Sequence, residues 1–514
     1  MTAILTGGRA AALPSVTLLV ILQAAVSAAS LVVEIVAGRM LAPYVGMSLY
    51  TWTSIIAVVL AGFSVGHWAG GRIAEMQTPR ALLWTGWSML GAGITTALAV
   101  FVLRSGADLV LPYISSPITA IVALSMLAFF LPSFFAGIPA PVLAQISVVA
   151  APEQSGRALG AMFAAGAIGA IAGTLLAGFV FVAWLGSVGT LALVTVCYLL
   201  AAVLLLWLAR RAGDRSGVMA AVLAGLVGLV LAGATIAQPS PCTEESDYFC
   251  IRVEDVSADP NSPVRLMVLD HLVHGVSARD LPDVIFYDHA ALLDLLARER
   301  MGSTDFSAFF IGGGTYTVPR KWSTLDPRPA VTVAEIDPTV TEVAIRDFWF
   351  DPTGTRILNQ DARTALRTDG NRYDVIIGDA FTDIAVPAHL VTQEFFELVR
   401  AHLTDDGVFL MNVIDHADRM IALMSLVHTL EQVFPHVEIW TEARRPDPGE
   451  RMINIIAAGF SPTDVEVLQG MSPAPITFAR IPAQAQAQLK AARNPIILTD
   501  DYAPIDRLIG AKSY

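Results

Sequence analysis

"FFIGGGTYTVPRKW", residues 309–322, sets three glycines at the end of an apolar run. An apolar strand that breaks at glycine and passes into helix-forming sequence is how an α/β nucleotide-binding sheet makes its first tight turn. The glycines alone are weak evidence, and "GGGTYT" is not the dinucleotide fingerprint. The runs around them decide the fold. "AVTVAEIDP", "TRILNQDA", "YDVIIGDAF" and "GVFLMNVI" are short apolar runs, each followed by helix-forming sequence, and "HVEIW" and "MINIIAAG" can add two strands. That alternation predicts βαβ units and a Rossmann-like, doubly wound α/β sheet. Ahead of it, "FCIRVEDV" and "VRLMVLDHLVHGV", joined through "SADPNSP", predict a small antiparallel β unit.

Ligands of such sheets bind at the carboxyl ends of the strands, beside the point where strand order reverses. Gly312, Gly313 and Gly314 allow close backbone approach there. Glu335 ends the second strand, where a carboxylate can accept hydrogen bonds from both hydroxyls of a ribose. Asp361 ends the third, in reach of an adenine amino group, so the set predicts a nucleoside site. Asp379 ends the fourth and would point over the ligand, with Asp383 four residues on in the following loop. Two acids over a sulfonium suit an incoming amine, one of them taking its proton; Asp383 could equally cap the next helix. The nine histidines and three cysteines show no zinc-ligand spacing, and no metal is expected.

The front of the chain has a different chemistry. With 54% hydrophobic and 15% charged residues over 514 positions, the chain is too apolar for an ordinary soluble protein. Residues 1–238 carry a net +4 and the remainder −17, a balance that argues against nucleic acid as partner and for cationic ligands such as polyamines. Seven apolar stretches of roughly bilayer-spanning length lie near residues 14–37, 49–69, 81–103, 117–150, 158–183, 187–208 and 217–237. The fourth holds Pro132, Pro139 and Pro141 and reads as one kinked helix or two short ones. In the fifth, "GRALGAMFAAGAIGAIAGTLLAGF", Gly and Ala at spacings of three and four suit close helix packing. Glu34 falls at membrane depth, with Arg39 as a candidate partner.

From residue 301 to about 415 the chain resembles the spermidine synthase family of aminopropyltransferases, through the glycine turn, "AEIDP", "NQDA", "YDVIIGDAF" and "LVTQEFFELVRAHLTDDGVFLMNV". With "LAPYVGMSLYTWTS", "LDHLVHG" and "LTDDYAP", the whole resembles that family's membrane-fused form, and "VGHWAGGRIAE" and "APEQSGRALG" are similar to cytoplasmic loops of major facilitator transporters. The resemblance implies an α-helical transmembrane bundle over 1–238, a small β-hairpin domain over 239–300, a methyltransferase-type Rossmann-like domain over 301–460 and a C-terminal segment over 461–514. It implies decarboxylated S-adenosylmethionine, or S-adenosylmethionine, as co-substrate, with Glu335 on the ribose, Asp361 on the adenine and Asp379 activating an amine or polyamine. Tyr287 and His289 in "FYDHA" resemble an aromatic and polar pair on the substrate side. The sequence departs from the family where Thr315 follows the glycines in place of an aspartate that anchors the donor's amino group.

Three readings follow: a membrane-bound transferase of aminopropyl type, a transport or sensing protein that binds a nucleoside or polyamine without turnover, and a methyltransferase on the same fold. The expected location is a bacterial inner membrane, and a homo-oligomer is left open. Sidedness conflicts. Positive-inside counting with seven spans puts the second half outside, where Cys242 and Cys250 could close a disulfide, whereas the donor is made in the cytoplasm.

Overall fold

The computed structural model describes residues 13–114, 116–214, 216–380, 386–447 and 449–510. Asp383 lies outside the described residues. The chain forms two compact units, Met1–Asp247 and Tyr248–Tyr514.

The first unit is helical: α1 (Val16–Val45), α2 (Leu49–Ala74), α3 (Thr78–Val110), α4 (Pro117–Gly137), α5 (Pro139–Ala150), α6 (Ser155–Leu176), α7 (Val182–Arg211) and α8 (Val218–Ile236). Among the described residues, six helical stretches are long and apolar enough to cross a membrane. The sequence reading separates a fifth and a sixth span between residues 183 and 187, and the helical run from Pro152 to Arg211 breaks there, at Gly186. Gly186 leaves helical backbone, at φ 65° and ψ 174°, a conformation open to glycine because it has no Cβ. Directly after it, the Ser187 N–H donates to the Glu245 carboxylate at 3.0 Å and the Ser187 hydroxyl donates to it as well. Arg39 has its ion pair with the same Glu245, at 3.9 Å.

Small residues set the helix spacing. A Cβ at Gly169 or Gly173 of α6 would stand 2.1 or 2.2 Å from the Ala24 or Ala28 carbonyl oxygen of α1, and one at Gly66 of α2 2.2 Å from that of Phe134 in α4. The backbones therefore touch where the glycines repeat, which is the packing the fifth span's composition anticipates. Pro139 and Pro141 have no N–H to continue the ladder, and α4 gives way to α5 at Ile138.

Cys242 and Cys250 are disulfide-bonded. After the two-residue strand β1 (Glu244–Glu245), strands β2 (Cys250–Asp255), β3 (Val264–Leu269) and β4 (Leu272–Ala278) pair antiparallel in sequence order. Asp270, in the β3–β4 turn at φ 54°, is buried and accepts the Cys250 N–H at 3.0 Å. A nine-stranded sheet follows: β5 (Ser307–Ile311), β6 (Ala330–Ala334), β7 (Thr355–Leu358), β8 (Tyr373–Gly378), β9 (Leu403–His416), β10 (His436–Glu442), β11 (Arg451–Gly459), β12 (Val467–Ser472) and β13 (Ala474–Arg480). Its order is β12-β13-β10-β11-β9-β8-β5-β6-β7. The run β9-β8-β5-β6-β7 is parallel and the other pairs are antiparallel. Strand order thus reverses between β5 and β8, the switch point at which such sheets bind ligands.

Continuous apolar strands require cover on both faces, and two cores supply it. One is built on Leu292, Leu296 and Trp322, the other on Phe395, Phe396, Leu423 and Val427. Under the first, Asp294 is buried but satisfied by Arg298, Lys321 and the Trp322 indole N–H, at 2.7 to 2.9 Å.

Candidate functional site

Three strand ends meet at the switch point. The Gly312 N–H reaches the Ala334 carbonyl at 2.9 Å and the Asp379 N–H reaches that of Ile311 at 3.0 Å. Gly312 has φ 94°, and a Cβ on it would lie 2.7 Å from the Asp379 carbonyl oxygen, so two strand ends approach where only glycine fits. Gly313 yields to Tyr316, whose ring would be 2.5 Å from an added Cβ. That tyrosine is fully buried, stacks on Phe350 at 4.3 Å and shares a 2.7 Å hydrogen bond with Thr341. The glycine stretch is thus a turn locked by an aromatic ring.

Glu335 is buried at the end of β6 and accepts N–H groups of Gly313 at 2.7 Å and Asp337 at 3.0 Å. Burial raises its pKa, and these backbone donors work against the rise. They fix both carboxylate oxygens. Thr315 is 2% exposed, pairs with the Thr317 hydroxyl at 2.7 Å and faces Gly275 of β4, where a Cβ would be 2.1 Å from its Oγ1. The threonine that replaces the family's aspartate is committed to packing. It puts no charge at this end of the turn.

Asp379 accepts from Asn412 Nδ2 at 2.9 Å and lies 3.7 Å from His289 Nε2. The Tyr287 ring is 5.8 Å from that of His289. Asn412 is 2% exposed, and its Oδ1 and His274 Nε2 are buried without a hydrogen-bond partner. Burial pushes His274 down to about 4, opposed by Asp379 and assisted by His289 and His271. The fold therefore gathers a carboxylate, two imidazoles, an amide and a phenol beside the glycine turn. A buried acceptor left open next to a carboxylate suits an ammonium, which brings three donors.

Asp361 caps α12 (Ala362–Thr368) through the Thr364 N–H and binds His389 at 2.7 Å. Burial alone would raise its pKa, but the His389 and Thr364 hydrogen bonds hold it below the usual carboxylate range. The C-terminal "LTDDYAP" is pinned: Leu498 is fully buried, and Asp500 takes a bidentate pair from Arg363 at 2.7 and 2.6 Å. Asn412 and His389 escaped the sequence reading. An asparagine inside the apolar run "VFLMNVI" is the signal that marks the first; nothing local marks the second.

His274 gives a test by pH. An imidazole titrating near 6.5 in the unfolded chain and near 4 in the folded one makes the unfolded state bind more protons between those values. Acidification through that window must then cost stability, by on the order of 1 kcal/mol per pH unit. We expect the unfolding midpoint of the intact protein to fall from pH 6.5 to 4, and His274→Asn to flatten that slope. Equal slopes would place the titrating group elsewhere.

The spermine/spermidine synthase domain family model matches residues 307–458. A probable polyamine aminopropyl transferase of Bifidobacterium longum is 30% identical over 173 residues, covering 33% of this chain and 36% of that protein. A polyamine aminopropyltransferase of Vibrio vulnificus is 37% identical over 106 residues, covering 20% and 35%. An N-terminal histidine N-methyltransferase of Emericella nidulans is 31% identical over 155 residues, covering 29% and 27%. The chain spans about a third of the length of these relatives. Residues 307–458 are thus similar to the spermine/spermidine synthase domain, and the similar proteins include polyamine aminopropyltransferases.

Proposed function

We propose that this protein is a membrane-bound alkyltransferase of the spermidine synthase type, moving the group carried by a sulfonium nucleoside to an amine. The observation that carries the reading is Asp379, held by Asn412 beside the glycine turn with His289 3.7 Å away. In this reading Gly312, Gly313 and Gly314 let the donor approach, Glu335 accepts the ribose hydroxyls, and Asp361 offers its remaining lone pairs to the adenine amino group. Asp379 and Asn412 orient the amine, with Tyr287 and His289 lining its approach. The amine nitrogen attacks the carbon attached to sulfur, and the C–N bond forms as the C–S bond breaks. The electron pair leaves on sulfur as a neutral thioether, and the proton lost from nitrogen passes to Asp379. Positioning supplies most of the acceleration. Asp383 stands as a proposed second acid.

The donor is decarboxylated S-adenosylmethionine or S-adenosylmethionine, and the simplest acceptor is a polyamine. Thr315 favours a second reading, because its hydroxyl is spent on Thr317 and cannot neutralise the ammonium of an aminopropyl donor. Methyl transfer on this fold, or binding without turnover, would tolerate that exchange. Calorimetric titration with the decarboxylated donor, the intact donor and methylthioadenosine separates the readings. Preference for the decarboxylated donor supports aminopropyl transfer, preference for the intact one supports methyl transfer, and binding of neither removes the transferase reading. The six apolar helical stretches are why we take the first unit to span a membrane, in an arrangement like part of a major facilitator. The disulfide favours an oxidising compartment for the segment it closes.

A further inference from the structure

Helices α1, α2 and α6 and the α4–α5 junction enclose a cavity of about 420 Å³ within the first unit, in the size range of small-molecule sites. Gln23 forms its floor and is 8% exposed, while Phe163, 71% exposed, stands at its mouth with His67. Gln23 Nε2 donates to Ser27 Oγ at 3.1 Å, and its Oε1 is buried with no hydrogen-bond partner. A buried amide acceptor left open is uncommon in a native interior and calls for a donor from outside the chain. Gly166 keeps the space over that amide clear, since a Cβ there would lie 3.3 Å from Gln23 Nε2. The remaining walls are almost wholly apolar, and no Asp, Glu, Lys or Arg lines the cavity.

Charge and depth narrow the ligand. An ammonium would be buried without a counter-ion and a carboxylate would face only the exposed imidazole of His67, which is costly in apolar surroundings, whereas a hydroxyl satisfies Gln23 at no such cost. Gln23 is seven residues past Val16, where α1 begins, and His67 is seven before Ala74, where α2 ends. Both are thus about 10 Å from the helix ends, the depth at which an amphiphile lying in the outer part of a bilayer changes from head to chain.

We propose that this cavity is a binding site for an uncharged single-chain amphiphile whose hydroxyl donates to Gln23 Oε1. The site is separate from the transfer chemistry, and its test does not depend on that reading. The intact protein in lipid nanodiscs would be labelled with a photoreactive diazirine analogue of 1-octanol, with 1-octanol, octylammonium and octanoate as competitors. The expected result is saturable labelling of peptides from α1, α2 and α6, with 1-octanol the strongest competitor. Gln23→Leu, close in volume, should raise the half-maximal concentration about ten-fold, the loss expected for one hydrogen bond. Ala167→Trp, a filling of the exposed mouth, should abolish the labelling. Thermal unfolding in the same nanodiscs establishes that each variant is folded. Non-saturable labelling spread along the helices, or labelling untouched by both variants, overturns the site. Stronger competition by either ion overturns the assignment of an uncharged head.

Discussion

Replacing Asp379 with asparagine should lower the rate of group transfer about 10³-fold, in the range measured for removal of a general acid–base group, while leaving nucleoside affinity within a factor of about two or three. The asparagine keeps the shape and can keep the bond from Asn412, which now holds Asp379 Oδ1 at 2.9 Å. An amide cannot take the proton released by the amine, and it withdraws the charge that draws an ammonium into the site. Single-turnover formation of the thioether reads the first effect, and calorimetry with the nucleoside product reads the second. A transfer rate within ten-fold of the parent would remove Asp379 from the chemistry and turn attention to His289. If the parent shows no transfer with any donor or amine, the reading without turnover stands instead.

Glu335→Gln should weaken nucleoside binding about ten- to hundred-fold, the loss of one or two charge-assisted hydrogen bonds. The carboxylate meets two backbone N–H donors and offers its other lone pairs to the ribose; an amide turns an NH₂ toward one of those donors. The pH profile separates a contact from a structural role. Because burial raises the Glu335 pKa, the parent's affinity should fall with acidification starting above the range of an ordinary glutamate, and the variant should lack that limb. For folding the sign is opposite. A carboxyl with a raised folded pKa costs stability as pH rises through its unfolded value, so the neutral variant need not be less stable at pH 7. A variant that loses the fold, or that binds like the parent with the same pH profile, would refute the ribose assignment.

The parts of the sheet legible in the sequence are those where a single physical signal dominates. β5, β6 and β8 are largely buried, mostly apolar runs that lead into Gly312, Glu335 and Asp379. β12 and β13 were not legible: "VLQGMS" and "APITFAR" are only partly buried and mix glycine, proline and polar residues, so the segment from 461 onward carried no strand pattern. The helices of the first unit are legible as apolar stretches, and so is the break at Gly186. Glycine there reads as a boundary by propensity, while the surrounding apolar sequence holds the helix on either side.

Of the site, the residues on strand ends were visible because chain order alone puts them at the carboxyl edge of a parallel sheet. That much the sequence by itself determined: an apolar helical unit, a doubly wound unit behind it, and Gly312, Glu335, Asp361 and Asp379 on one edge. Only the tertiary structure decided which of these have free chemistry. Asp361 is engaged by His389, and Thr315 is enclosed against Gly275 by a hairpin some 40 residues earlier in the chain. Asn412 and His289 come to Asp379 from two separate segments, and Tyr287 lies beside that histidine. Hydrogen bonding and burial act through space over a few ångströms, whereas periodicity and motif record only what is near along the chain. The partners of a side chain, and therefore its charge state and reach, are written in the packing.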